Sequence, residues 1–155
     1  MDPDGLDKIV FGDPQIGRLL AARAGAEFGD HTTSIARVKN DFVMGGAVYQ
    51  GFTGESCLMH LAAFHPQWMT RDLAWVGHHY PFVQLGVKRI FGQVPEDNEK
   101  ARRLNEHGGF KTIARIPGVY KGGVACLVMV LEKEDSRFLK WAPRALQSNK
   151  ILEDV

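Results

Sequence analysis

Residues 87–110, VKRIFGQVPEDNEKARRLNEHGGF, constrain the chain more than any other stretch, because a strand, a loop, a basic helix and a glycine stop follow at short spacings. Residues 87–94 are a short apolar run consistent with a strand. Pro95-Glu96-Asp97-Asn98 ends that run with residues that extend a ladder poorly and that cap a following helix. The helix begins near Glu99 and stops at Gly108-Gly109. From Phe110 to Ile116 the residues alternate, Phe110, Thr112 and Ala114 against Lys111, Ile113 and Arg115, so the helix feeds straight into another strand.

The remaining elements follow from periodicity and punctuation. Asp13-Pro14 ahead of Ile16, Leu19, Leu20 and Arg23 combines a helix start with helical spacing, and Gly25 supplies a stop. Residues 33–40 alternate Ile35, Arg37 and Lys39 against Ser34, Ala36 and Val38. Residues 41–50 and 56–64 are β-rich runs separated by Gly51, Thr53 and Gly54, giving three strands joined by hairpins. Residues 70–85 have helical length, with Leu73, Val76, Tyr80 and Val83 on one face and Pro81 kinking the last turn. Residues 124–131, VACLVMVL, form the longest uninterrupted apolar run and read as a central or near-central final strand. The order helix, three antiparallel strands, helix, strand, helix, two strands predicts an α+β, or mixed α/β, fold with a single central, mostly antiparallel sheet flanked by helices. At 155 residues a single domain over 1–155 is expected, with 1–12 as an N-terminal arm and 136–155 as a C-terminal helix or tail.

Charge excludes some partners. Nineteen Lys and Arg against eighteen Asp and Glu give no electrostatic case for nucleic acid or an anionic membrane. Cys57 and Cys126 each sit inside an apolar run, which favours reduced core packing and a cytoplasmic setting over a disulfide. No apolar run approaches membrane-spanning length, and Met1-Asp2-Pro3-Asp4 is acidic where a secretory signal is basic. His60, His65, His78 and His79 fall close together, but adjacent His78 and His79 point to different helix faces and no Cys or carboxylate completes a ligand spacing, so no metal is expected. Cys57 lacks a partner that would lower its pKa and reads as a buried thiol. Gly45-Gly46 in mid-strand marks a bulge or a close approach. Trp68 is core, or part of an acceptor pocket.

The stretch from Asn98 resembles the C-terminal half of the Gcn5-related N-acetyltransferases, in which a strand is followed by N-x-x-A-x-x-L-Y-x-x-x-G-F. Asn98, Ala101, Leu104, Gly109 and Phe110 match, Asn105 stands where the family most often has tyrosine, and a weaker likeness extends from Gln15 to Lys133. The resemblance implies the fold just derived and an enzyme that passes an acetyl group from acetyl-CoA to a primary amine, on a small molecule or a protein, in a ternary complex. Homodimers are common in the family. By the same likeness the fourth and fifth strands splay apart, and the backbone of Leu61, Ala62, Ala63 and Phe64 holds the pantetheine arm of the cofactor. Met69, Thr70 and Arg71, at the start of the next helix, meet the pyrophosphate, and Asn98, Ala101 and Arg102 complete the cofactor cleft. Unpaired strand amides and a helix N-terminus suit such a ligand on physical grounds as well.

Two departures qualify that implication. The pyrophosphate loop, Q/R-x-x-G-x-G/A in the family, reads Met69-Thr70-Arg71-Asp72-Leu73-Ala74. Met69 removes a donor, and Asp72 puts a side chain and a negative charge where glycine admits phosphate to the backbone. Arg71 restores a charge-assisted contact, with Thr70 as cap or second donor, or else is a solvated first-turn residue. Asn105 cannot give a proton to the departing thiolate, although its amide can hydrogen-bond the sulfur, and Tyr120 is the candidate substitute acid. His60 and Glu55 are the candidate bases, with a purely structural hydrogen bond as the alternative for His60. The two losses together keep a second reading open: a noncatalytic protein, phage-associated for example, that keeps the fold as a binding scaffold.

Overall fold

The computed structural model describes residues 7–141, and their strands form one seven-stranded sheet in the order β1-β2-β3-β4-β5-β7-β6. The strands are β1 (Asp7–Phe11), β2 (Thr33–Lys39), β3 (Phe42–Gln50), β4 (Ser56–Ala63), β5 (Arg89–Pro95), β6 (Lys111–Tyr120) and β7 (Val124–Glu132). Every neighbouring pair is antiparallel except β4 and β5, which run parallel and are joined by the helix α2 (Arg71–His79). A crossover of that kind is what a parallel pair requires. The helix α1 (Pro14–Ala24) precedes β2, and α3 (Glu99–Gly108) links β5 to β6. The expected mixed α/β layout, with its mostly antiparallel central sheet, is the observed one.

Local chemistry sets the ends of these elements. Asp13 accepts from the Gln15 and Ile16 amides to start α1, Thr70 accepts from Leu73 to start α2, and Asn98 accepts from Ala101 to start α3. Gly25 and Gly109 end α1 and α3 in the left-handed region, at φ 74° and 114°.

Three differences from the sequence expectation have physical causes. The stretch set aside as an N-terminal arm contributes β1, an edge strand too short to show periodicity, which pairs with β2. The helix expected over 70–85 ends at His79. Pro81 has no amide to donate there, and Tyr80–Gln84 widen into a π-type turn in which the Leu85 amide reaches back to Tyr80 O. After β7 the chain makes two single helical turns, Lys133–Asp135 and Phe138–Lys140, in place of a continuous helix, and the rest of the expected C-terminal helix or tail lies outside the described residues.

Helices cover both faces of the sheet. On one, Leu20 and Ala21 of α1 pack against Ala36, Val48 and Ala62, whose small side chains let the helix sit close. On the other, α2 and α3 cover Ile35, Ala47, Tyr49, Met59, Ile90 and Met129, with Leu73, Val76, Phe82 and Phe110 completing the core. The longest apolar run of the sequence, β7, expected to be central or near-central, is instead next to the edge, between β5 and β6.

Candidate functional site

The sheet opens where β4 and β5 part. Their register runs only from Ser56↔Arg89 to Leu58↔Phe91, after which β4 continues to Ala63 with no β5 residue opposite it. The Phe64 amide donates to Met44 O on the β3 side, while Glu55 O accepts from Lys88 and Arg89 on the β5 side. Strand alternation therefore turns the N–H and C=O of Leu61 toward the gap. On the α2/α3 face this gap meets a cavity of about 30 Å³ walled by Met59 and Leu61 of β4, Leu73, Ala74 and Gly77 of α2, and Leu104 and Asn105 of α3. That volume holds about two waters.

The loop from β4 to α2 is fixed by a residue not among the candidates, Arg37 of β2. Arg37 is buried. Its guanidinium grips the Asp7 carboxylate at 2.9 and 3.0 Å and donates to the carbonyls of Gln67 and Trp68 at 2.6 and 3.3 Å. The hydrogen bonds from Arg37 hold the Asp7 carboxyl below its ordinary pKa. The only signal was a charged residue alternating with Ile35 on an otherwise apolar strand. Trp68 then folds back over β3: a Cβ on Gly45 would lie 2.6 Å from its ring, and one on Gly46 would lie 2.2 Å from Ile35 O. The register also slips between Arg37 and Val38 opposite this pair, so the glycines serve both a bulge and a close approach.

At the start of α2, the Thr70 hydroxyl takes the Leu73 amide, and the Arg71 and Asp72 amides have no intrahelical acceptor. Asp72 is exposed in this first turn. Outside the inner cavity a groove of about 320 Å³ runs past Met69, Thr70, Arg71, Leu104, His107 and Trp141. Asn105 is buried beside the inner cavity with its amide 3.8 Å from Met129 Sδ, a donor already facing a sulfur.

Some candidates converge here and others do not. Leu61, Met69 and Asn105 line the inner cavity, and Met69, Thr70 and Arg71 line the groove. Ala62 and Phe64 instead face α1, and Ala63 O accepts from Arg23 Nε. Asn98 is spent on capping α3 and lines neither space, because its side chain turns back onto its own helix. Ala101 packs into the core, and Arg102 pairs with Glu106 at 3.2 Å, not with the groove. His60 faces away from the cavity. Its Nε2 lies 2.9 Å from Gln50 Nε2, and burial pushes its pKa down. Glu55 sits at the closed end of the splay, exposed and paired with Lys88 at 3.1 Å, where β4 and β5 are still bonded together. Tyr120, read as a loop residue, ends β6 and donates to Cys126 Sγ at 3.6 Å; burial raises its pKa to about 12. Burial likewise pushes the Cys57 thiol up to about 12, which keeps it protonated.

The sequence reading passed over His78 as a packing residue, and the structure gives it a defined partner. It is buried, its Nδ1 lies 2.8 Å from Ser136 Oγ, and burial depresses its pKa to about 3, so the ring is neutral and hydrogen-bonded to the serine. The two residues lie 58 apart in sequence, beyond the reach of any spacing argument.

A mixed seven-stranded sheet whose fourth and fifth strands part over the N-terminus of the following helix is the fold of the Gcn5-related N-acetyltransferases. The chain has this fold. It is similar to the spermidine/spermine N-acetyltransferase of Vibrio cholerae, solved with manganese ions, at 12% identity and a TM-score of 0.67 over 89% of this chain and 98% of that one. It is similar too to the ribosomal-protein-S18-alanine N-acetyltransferase of Escherichia coli, at 17% identity and a TM-score of 0.62 over 82% and 94%. A putative acetyltransferase of Salmonella typhimurium, solved with its cofactor acetyl-CoA, aligns at 17% identity and a TM-score of 0.63 over 85% and 96%. At these identities the likeness is one of fold. No protein-family model and no curated protein matches the chain. No helix among the described residues is long and apolar enough to cross a membrane.

Proposed function

We propose that this chain is an acyl-CoA-dependent N-acetyltransferase that moves an acetyl group from acetyl-CoA to a primary amine. The observation that carries the reading is the parting of β4 from β5 beyond Leu58 and Phe91, which turns the Leu61 backbone toward a space between α2 and α3. Strand amides of this kind pair with the amide-rich pantetheine arm and polarise a thioester carbonyl, and the Arg71 side chain with the first amides of α2 suits a pyrophosphate. The amine nitrogen attacks the thioester carbon, the C–S bond breaks, and the amine proton passes to a base, directly or through water. Asn105 hydrogen-bonds the departing sulfur, a role in keeping with its present contact to Met129 Sδ. Neither candidate base meets this space, since His60 faces away from it and Glu55 lies at the paired end of the strands, which leaves water as the route for the proton.

A second reading is favoured by one feature, the small inner cavity, together with the side chain of Asp72 at the start of α2. On it the chain is a noncatalytic scaffold of the same fold. Thermal unfolding with acetyl-CoA, and with ATP as a phosphate control, separates the two. Ligand at about a hundred times its dissociation constant adds roughly 2.7 kcal/mol, several degrees for a domain of this size. A shift with acetyl-CoA alone supports the enzyme; no shift at millimolar ligand favours the scaffold.

A further inference from the structure

We propose that residues 136–141 form a stopper seated in the acyl-CoA slot, which must leave it before a thioester reaches β4; this rests on the acyl-CoA reading above. Met69, Ala74, Leu104 and Phe138 border both the inner cavity and the outer groove, so they are the partition between them. Of these, Phe138 comes from the segment after β7. Its ring is buried between the two helices, 4.8 Å from the His78 ring and 5.8 Å from the His107 ring. The fit is close enough that a Cβ on Gly108 would lie 3.0 Å from the Phe138 ring, and one on Gly109 would lie 2.2 Å from Asp135 O. The Gly-Gly pair that ends α3 is therefore also the seat of this segment.

The inner space of about 30 Å³ admits no acyl-pantetheine arm, whereas joining it to the groove of about 320 Å³ makes one channel from the start of α2 to Leu61. A long, thin arm with amide groups and an anionic head fits such a channel, which is the chemistry of an acyl-CoA thioester.

The stopper is held by few polar contacts. The Ser136 hydroxyl is hydrogen-bonded to His78 Nδ1, the Leu139 amide donates to Ser136 Oγ, and the Arg137 amide donates to Gly108 O. Trp141 completes it, with the Arg71 guanidinium 5.7 Å above its ring, so the cation available to a phosphate is engaged by the stopper while the slot is shut. Cofactor and stopper thus compete for the same space and the same arginine. Apparent affinity is then the intrinsic affinity scaled by the fraction of molecules in which the slot is open.

The test is calorimetric titration of the full chain with acetyl-CoA, comparing wild type with Phe138→Ala and with Ser136→Ala, which releases the segment from His78 without emptying the core. Tightening of about tenfold or more in Phe138→Ala, and of a few-fold in Ser136→Ala, is expected. In wild type at saturating acetyl-CoA, hydrogen exchange at the Arg137, Leu139, Lys140 and Trp141 amides should accelerate, since each of them is bonded in the closed form. Should Phe138→Ala not fold, Ser136→Ala and the exchange measurement decide. Equal affinity in all forms with these amides still protected overturns the stopper and leaves the acyl-CoA reading standing. Failure of every form, including the opened variants, to bind acetyl-CoA overturns both.

Discussion

The two faces of this sheet bury similar side chains to different ends. Against α1 the packing is mainly apolar, with Leu20 and Ala21 meeting Ala36, Val48 and Ala62, and Ser34 is buried beside Gly17. Against α2 and α3, buried polar atoms appear, each tied to one partner: Tyr49 Oη to Gly77 O at 2.6 Å, His78 to Ser136, and Asn105 to Met129. A buried polar group is costly unless bonded, so a face that collects several and satisfies them one by one is built for more than adhesion. The α1 face is a close-packed contact, whereas the other face encloses the inner cavity and borders the groove.

That division makes predictions which pull the faces apart, beginning with the largest effect. Leu20→Ala, at a fully buried site, should cost about 3 kcal/mol in chemical unfolding and leave the acetyl-CoA affinity of the folded protein unchanged. A change in affinity would erase the distinction. Next comes acidification. His78 binds its proton at about 3 when folded, against an ordinary value of 6.5, so the unfolded chain takes up protons first as pH falls. Stability is therefore full above pH 6.5 and lost between there and pH 3, by about 2 kcal/mol at pH 5 from this group alone. Burial also depresses His60 and His79, so the quantity to measure is the difference in slope between wild type and His78→Gln, whose amide can still hydrogen-bond Ser136. An unchanged slope would mean that the imidazole is not buried neutral.

A smaller effect is expected at Asn105→Leu, which keeps the volume and removes the donor. Acetyl transfer should slow about tenfold, the worth of one hydrogen bond, while the unfolding midpoint moves little. The smallest belongs to Glu55→Gln. Its pair with Lys88 is exposed on both sides, so stability should change by less than about 0.5 kcal/mol and turnover not at all. A large loss of turnover would restore Glu55 as the base.

The legible parts of this molecule were those written locally. Asp13, Thr70 and Asn98 announced three helix starts, Gly25 and Gly109 announced two stops, and the alternation of residues 33–39 announced a strand. The element order followed, and with it the sheet. Leu61, Met69, Arg71 and Asn105 were legible because a motif carries them at fixed offsets from strand and helix ends. What stayed hidden depends on contacts between distant residues. Asn98 and Arg102 sit at the right places in the sequence, but their side chains are claimed by their own helix. Arg37 acts on carbonyls thirty residues away, and Phe138 acts only because α2 and α3 leave a gap of its size. No periodicity encodes such a fit.

The position of β7 has a consequence for how the chain is made. Its neighbours in the sheet are β5 and β6, and among the described residues β6 has no other. A ribosome that has released everything through Gly123 has produced a β6 with nothing to pair with and a β5 bare along one edge. The nascent chain cannot complete this sheet vectorially; it waits for β7, which inserts between two strands translated earlier. Closure of the sheet is thus deferred until β7 has been made, and until then the unpaired edges of β5 and β6 are the surfaces on which a stalled chain would aggregate.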